Sequence, residues 1–147
     1  MSMAVLFELS NLHLESVVSH SLQEHPLECC GLLVGKKITE SGKLKYKVQQ
    51  VIKLENVLKS DTEFESSPES MFKAMREMRL MDLEILAVYH SHPNSSPVPS
   101  SKDICGHLSP EIFMLIIGNV KTDKNVGLWE ITNQGERIQH PVQIQQL

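Results

Sequence analysis

The chain has few cysteines and no metal-finger or redox spacing among them: Cys29 and Cys30 are adjacent, and Cys105 stands alone far downstream. Adjacent thiols with no second pair fit neither a zinc finger nor a disulfide framework, so all three read as reduced thiols. Long apolar runs are also missing. No stretch approaches the roughly 20 residues needed to cross a bilayer, and residues 1–14 lack the basic region that opens a signal peptide. The expected address is the cytoplasm, away from the membrane. Basic excess is missing too: 14 Lys and Arg against 18 Asp and Glu give a net charge of −4. Nucleic acid is therefore not an expected partner. The one basic cluster, Lys36, Lys37, Lys43, Lys45 and Lys47, surrounds a Ser41-Gly42 turn and reads as a solvated hairpin tip. Repeats and low-complexity tracts are absent.

What is present is an ordinary globular composition, 41% hydrophobic and 22% charged over 147 residues. A chain of that length buries roughly 70% of its unfolded surface around one core, so a single domain over 1–147 is expected. Leu14, Val17, Val18, Ser21 and Leu22 fall at helical spacing behind Ser10 or Asn11 and predict a helix over about 11–24. Residues 29–35, almost wholly apolar and closed by glycine, suit a buried strand. Across the Ser41-Gly42 turn, Leu44, Tyr46 and Val48 alternate with lysines until Gln49-Gln50 interrupts them, which predicts a hairpin partner with a bulge. Ser67-Pro68, or a capping box from Ser66 to Glu69, announces a second helix with the inner stripe Met71, Ala74, Met75, Met78 and Met81. Residues 84–89 and 112–117 read as central strands, and 126–132 and 137–144 as two more. Strands not regularly alternating with helices indicate an α+β fold, a mixed central sheet flanked by helices.

The chemistry concentrates after residue 89. Extended backbone sends residues i and i+2 to one side, so His90 and His92 can present two imidazoles to one ion. A catalytic zinc wants three protein ligands and an open position for water, and Asp103 is the candidate third ligand, held on a short helix from Ser101 through Gly106. A base must take a proton from the zinc-bound water and deliver it to a leaving amine. Glu28, ahead of a buried strand expected to run beside residues 84–89, is the candidate. His13, His20, His25, His107 and His140 lack such context and read as surface or capping residues. Cys30 reads as a small buried hydrophobe, and Ser91 as a support for the loop. The His-x-Glu and Pro-Cys-x-x-Cys pattern of zinc deaminases, the His-Glu-x-x-His helix, the Gly-x-Ser-x-Gly elbow and the phosphate loop are all absent.

Pro26-x-Glu28-x-Cys30-Gly31-Leu32-Leu33-x-Gly35, followed by His90-x-His92-Pro93, six residues, Ser100, two residues and Asp103, resembles the JAMM (MPN-type) metallopeptidases at every signature position. Only seven residues separate Asp103 from Glu111, so the chain is similar to the short prokaryotic members. The resemblance implies a layering like that of the cytidine deaminases and one zinc per chain. It also implies hydrolysis of a peptide or isopeptide bond after the C-terminal Gly-Gly of a ubiquitin-like or sulfur-carrier protein, as in deubiquitinases. Glu28 would be the acid/base and Ser100 the residue assisting the oxyanion. Activating or conjugating enzymes of the same pathway are implied as partners, and a homodimer stays open. The alternative is an MPN-type scaffold or binding module whose zinc site is inactive or partner-activated.

Overall fold

The computed structural model describes residues 4–122 and 125–145. The expected domain bounds, 1–147, include residues 1–3, 123–124 and 146–147, which lie outside these. The elements run β1 (Ala4–Ser10), α1 (Asn11–Glu24), β2 (Cys30–Glu40), β3 (Lys43–Leu54), α2 (Pro68–Met81), β4 (Glu84–His92), α3 (Ser101–Cys105), β5 (Phe113–Gly118), β6 (Asn125–Ile131), β7 (Arg137–His140) and β8 (Val142–Gln145). All eight strands join one mixed sheet in the order β7-β6-β5-β4-β2-β3-β1-β8. The α+β class and the mixed sheet agree with the sequence reading, and β4 and β5 lie centrally, as their continuous apolar runs predict.

Two strands depart from that reading. β1, absent from the expected order, pairs in parallel with β3 and with β8. Phe7 and Leu9 enter the core while Glu8 and Ser10 are also buried, Glu8 against Lys45. A strand covered on both faces loses the simple alternation that would announce it. The expected strand over 137–144 is broken by Pro141, which has no N–H for a ladder. β7 adds to β6, while β8 adds to β1 at the opposite end of the sheet. One residue thus separates the two edge strands in the chain, a span of about 7 Å at most, so the sheet curls until its ends approach.

Alternation along β2 and β4 assigns the helices. Cys29, Leu33, Ala87 and Tyr89 share one cluster with Val17, Leu14 and Val18 of α1. Cys30, Leu32, Val34 and Val88 share another with Ala74 and Met78 of α2. The helices therefore cover opposite faces, and Glu28 and His90 have the parity of the α2 face. Ser10 caps α1 by accepting from the His13 amide, and Ser67 caps α2 with Pro68 in its first turn. The methionine stripe needs correction: Met75 and Met81 are exposed. Met75 lies about 100° round the helix from Ala74, outside the narrow line of Met71, Ala74 and Met78 that meets the sheet. In the β2–β3 ladder Val34 faces Gln50 and Gly35 faces Val48, so Gln49 is the bulged residue. Two of the five lysines of the basic cluster are paired: Lys45 meets Glu8 and Glu40, and Lys37 meets Glu84.

Candidate metal centre

β4 carries His90 and His92 out of the sheet with Ser91 directed the other way. The Ser91 hydroxyl accepts from the Cys29 amide at 2.9 Å, and the Ser91 amide donates to the Cys29 carbonyl at 3.1 Å. Ser91 thus extends the β2–β4 pairing and binds the segment bearing Glu28 to the strand bearing the histidines. On the opposite face Tyr89 reaches α1, where its hydroxyl meets His20 Nδ1 at 2.7 Å. A Cβ on Gly31 would lie 2.3 Å from the Tyr89 ring, so glycine is needed there for the ring to lie flat. His20 is consequently buried, contrary to the surface role read from sequence, and burial lowers its pKa to about 4.

Residues 93–99 return the chain towards the histidines, and their backbone is held from the β5–β6 end. The Asn119 amide donates to the carbonyls of His92 and Ser95 at 3.0 and 2.9 Å. The Trp129 indole donates to the Pro97 carbonyl, and the Arg137 guanidinium to that of Pro99, both at 2.8 Å. A Cβ on Gly118 or Gly127 would lie 2.5 Å from Pro97 backbone atoms, so two strand glycines create the seat of this loop. Glycine inside a strand is the signal that could have found them, since it marks close backbone approach.

The loop ends at α3 in a capping box. Ser100 Oγ accepts from the Asp103 amide at 3.1 Å, and Asp103 Oδ2 accepts from the Ser100 amide at 3.0 Å. The same Oδ2 stands 3.1 Å from His90 Nε2 and 3.0 Å from His92 Nε2, and the two Nε2 atoms are 3.2 Å apart. His90, His92 and Asp103 are buried and each offers a ligand atom within 4.8 Å of the others, a group that can hold a metal ion. Tetrahedral zinc with bonds of about 2.0–2.1 Å sets its ligand atoms about 3.3 Å apart, close to this triangle. Protonation suits the same ion at His90 and Asp103, whereas at His92 the ion has a proton to displace. Burial keeps His90 neutral. Burial also opposes ionisation of Asp103, but hydrogen bonds from His90 and His92 outweigh it and hold the carboxyl well below its usual range. For His92 burial is likewise outweighed, by Asp103 and the Ser96 carbonyl, and the imidazole is raised. The His92 Nδ1 hydrogen bond to Ser96 at 2.9 Å leaves Nε2 to face the metal position.

Glu28 is buried, and its Oε1 has no hydrogen-bond partner among the described residues. Burial raises its pKa to about 8, with His92 opposing and Asp103, Asp61 and Glu63 adding to the rise. The thiols of Cys29 and Cys30 are pushed up to about 12 by burial, which makes Cys30 the inert filler expected. Cys105 is exposed at the end of α3 and outside the metal group.

Residues 55–67 form a strap beside the site. Phe64 stacks on His90 with ring centroids 4.6 Å apart, and Glu63 meets Lys102 of α3 at 3.0 Å. A cleft of about 410 Å³ lies between strap and α3, its apolar wall including Leu58, Phe64, Met71, Leu108 and Met114 and its floor His90 and Asp103. Sequence reading singled out neither Phe64 nor Asn56.

The family described as prokaryotic homologs of the JAB domain matches residues 10–132. The chain belongs to that family. The JAMM-type signature thus led to the right group, and the matched region of this JAB-domain chain includes Glu28, His90, His92, Ser100 and Asp103. Among curated proteins it is 36% identical over 91 residues to the desampylase of Pyrococcus furiosus, covering 62% of this chain and 59% of that protein. It is 36% identical over 92 residues to a probable TtuB-protein conjugate cleaving protease of Thermus thermophilus, covering 62% and 56%. A CysO-cysteine peptidase of Mycobacterium tuberculosis is 24% identical over 102 residues, covering 69% and 66%. The matches thus span less than two thirds of the first two relatives. The solution structure of protein DSY2949 from Desulfitobacterium hafniense superposes with a TM-score of 0.83 at 25% identity, covering 97% of this chain and 94% of that one.

Proposed function

We propose that this JAB-domain chain is a zinc peptidase that cuts the peptide or isopeptide bond after the C-terminal Gly-Gly of a ubiquitin-like or sulfur-carrier protein. The observation that carries the reading is the pairing of a compact His90, His92 and Asp103 triangle with a buried glutamate whose Oε1 has no hydrogen-bond partner among the described residues. Two imidazoles and a carboxylate leave a position free for water, the donor set of a hydrolytic zinc site. When bound, zinc supplies Lewis acidity that brings the pKa of such a water to about 7.

Glu28 takes a proton from the attacking water and returns it to the leaving amine. A carboxyl at its ordinary pKa would be a weak proton carrier near neutrality, whereas burial brings Glu28 up to about 8. The cation it would neighbour favours the carboxylate and draws that value back towards neutrality. Ser100 is exposed and spends an oxygen lone pair on the Asp103 amide, which leaves its O–H to donate to a developing oxyanion, a contribution that reaches a few kcal/mol only once bound substrate excludes water.

The names of the relatives support the substrate class: one is a desampylase, one a probable TtuB-protein conjugate cleaving protease and one a CysO-cysteine peptidase. Enzymes that activate or conjugate the same carrier are the proposed partners, and the cytoplasm is the proposed location. The chain is read as one catalytic domain. Helices on opposite faces of the sheet support the deaminase-like layering.

The test is cleavage of several ubiquitin-like proteins extended beyond Gly-Gly, with zinc content measured in parallel. Wild type should cut at least one, and Glu28→Gln should keep one equivalent of zinc while losing at least about 100-fold in rate. Equal rates for the two proteins would remove Glu28 from its role, and well under one zinc per wild-type chain would remove the enzyme reading.

A further inference from the structure

Asn56 follows β3 and is neither a ligand nor a wall of the cleft, yet all four hydrogen-bonding positions of its amide are arranged around Glu28 and the strap. Its Nδ2 donates to the Glu28 carbonyl at 3.0 Å and to the Glu63 carbonyl at 3.1 Å. Its Oδ1 accepts from the amides of Leu58 and Glu65, at 3.1 and 3.0 Å. A bridge between Asn56 and Ser66 closes the base of the strap. The Glu28 amide in turn donates to the Ser60 carbonyl at 2.8 Å. Glu28 lies between α1 and β2, outside either element, so its backbone is fixed by the strap on one side and by the Ser91 contacts of the next residue on the other.

We propose that Asn56 is the positioning residue for Glu28, fixing the base and shaping the strap with one side chain. The proposal rests on the function proposed above for Glu28. A side-chain amide is the group that can donate twice and accept twice in one plane, and each bond here goes to backbone, so the coupling does not depend on which side chains the strap carries. Misplacing a reacting group by about 1 Å can cost 100-fold in rate. Loss of the Nδ2 bond to Glu28 should therefore appear in kcat. Loss of strap shape should appear mainly in KM, because Leu58 and Phe64 line the cleft.

Two variants separate these roles in the full chain loaded with zinc. Asn56→Asp keeps an oxygen to accept from Leu58 and Glu65 but cannot donate to Glu28 or Glu63; Asn56→Ala loses all four bonds. Both should hold one zinc and lose at least about 10-fold in kcat, with KM for the ubiquitin-like fusion altered far less in Asn56→Asp. Amide exchange should speed up at Glu28 in both, and at Leu58 and Glu65 in Asn56→Ala alone. An Asn56→Asp protein that turns over like wild type while Asn56→Ala does not would overturn the proposal, leaving Asn56 a shaper of the strap only. If wild type cleaves nothing, the functional reading fails and exchange decides the coupling: at least 10-fold faster exchange at Glu28 in Asn56→Asp supports it, and an unchanged rate overturns it. Should neither variant fold, wild-type exchange gives the answer, because Glu28, Leu58 and Glu65 should open together; a Glu28 amide much slower than the other two would overturn it.

Discussion

The two sides of the site are built differently. On the ligand side, His90 and His92 end a central strand, and the chain leading to Asp103 is held by backbone bonds from Asn119, Trp129 and Arg137 over two glycines. On the strap side, residues 55–67 are gathered by the four bonds of Asn56 and by backbone bonds of Val57 to Glu65 and of Glu28 to Ser60, and they meet α3 through an exposed ion pair. Glu28 stands between them, joined to both. The difference teaches that the proposed metal ligands and the proposed base are mounted on separate supports and can be damaged separately.

The sharpest break of the ligand side is Asp103→Ala. Loss of outer-shell partners alone costs 10–100-fold in metal affinity, so removal of a ligand should cost at least about 100-fold and abolish cleavage. Zinc content after dialysis against a competing chelator measures this; a full equivalent retained would mean that the triangle is not the metal site. The next largest effect belongs to the seat of the loop. Gly127→Ala places a Cβ 2.5 Å from the Pro97 carbonyl oxygen, which must move. The expected cost is about 1–3 kcal/mol, with weaker zinc binding as the loop shifts. Gly106→Ala meets only the Lys102 carbonyl at 3.4 Å and should stay within about 0.5 kcal/mol. Similar denaturation midpoints for the two variants would dissolve the contrast between a seated loop and an ordinary surface.

Glu28 itself yields a smaller effect with a defined sign. Its ordinary pKa of 4.5 is raised to about 8 in the fold. Below about pH 4.5 folded and unfolded chains both hold the proton; between there and about 8 only the folded chain does. Raising the pH through that window therefore draws the equilibrium towards the unfolded state, and the loss is complete above the folded value. Gln does not titrate. In metal-free protein, the stability of wild type relative to Glu28→Gln should fall from pH 5 to pH 9 by on the order of 1 kcal/mol or more. Parallel melting curves across that range would show that Glu28 is not buried as described.

Much of the ligand side was legible in the sequence. The parity of His90 and His92, the short helix from Ser101 and the strand after Glu28 are local patterns, and each is local in the fold. What escaped reading depends on partners distant in the chain. Ser91 meets Cys29 across 62 residues, Tyr89 meets His20 across 69, and Trp129 meets Pro97 across 32. β1 escaped for the same reason, and β8 was read as one strand with β7, since each is specified by the parallel neighbour that accepts it. Asn56 was hidden differently: an asparagine after a strand reads as a turn residue, and its turn bonds to Leu58 and Glu65 are real. Only the fold brings Glu28 within reach of its other face.

The smallest effect concerns Lys102, and it tests whether the strap is closed by charge or by packing. Its Nζ lies 3.0 Å from Glu63, but the two side chains are 68% and 42% exposed, so solvent screens the pair. Exposed pairs of this kind contribute about 0–1 kcal/mol. Phe64, by contrast, lies against His90 and closes the cleft by contact. Lys102→Ala should therefore change stability by no more than about 0.5 kcal/mol, and wild type in high salt should behave as the variant does. Amide exchange at Leu58 and Glu65 is the measurement, because both amides bond to Asn56 rather than to the ion pair. Unchanged exchange would place closure of the strap on Asn56 and Phe64. A 10-fold acceleration, erased by salt, would instead make the ion pair a latch and tie access to the metal side to the charge of α3.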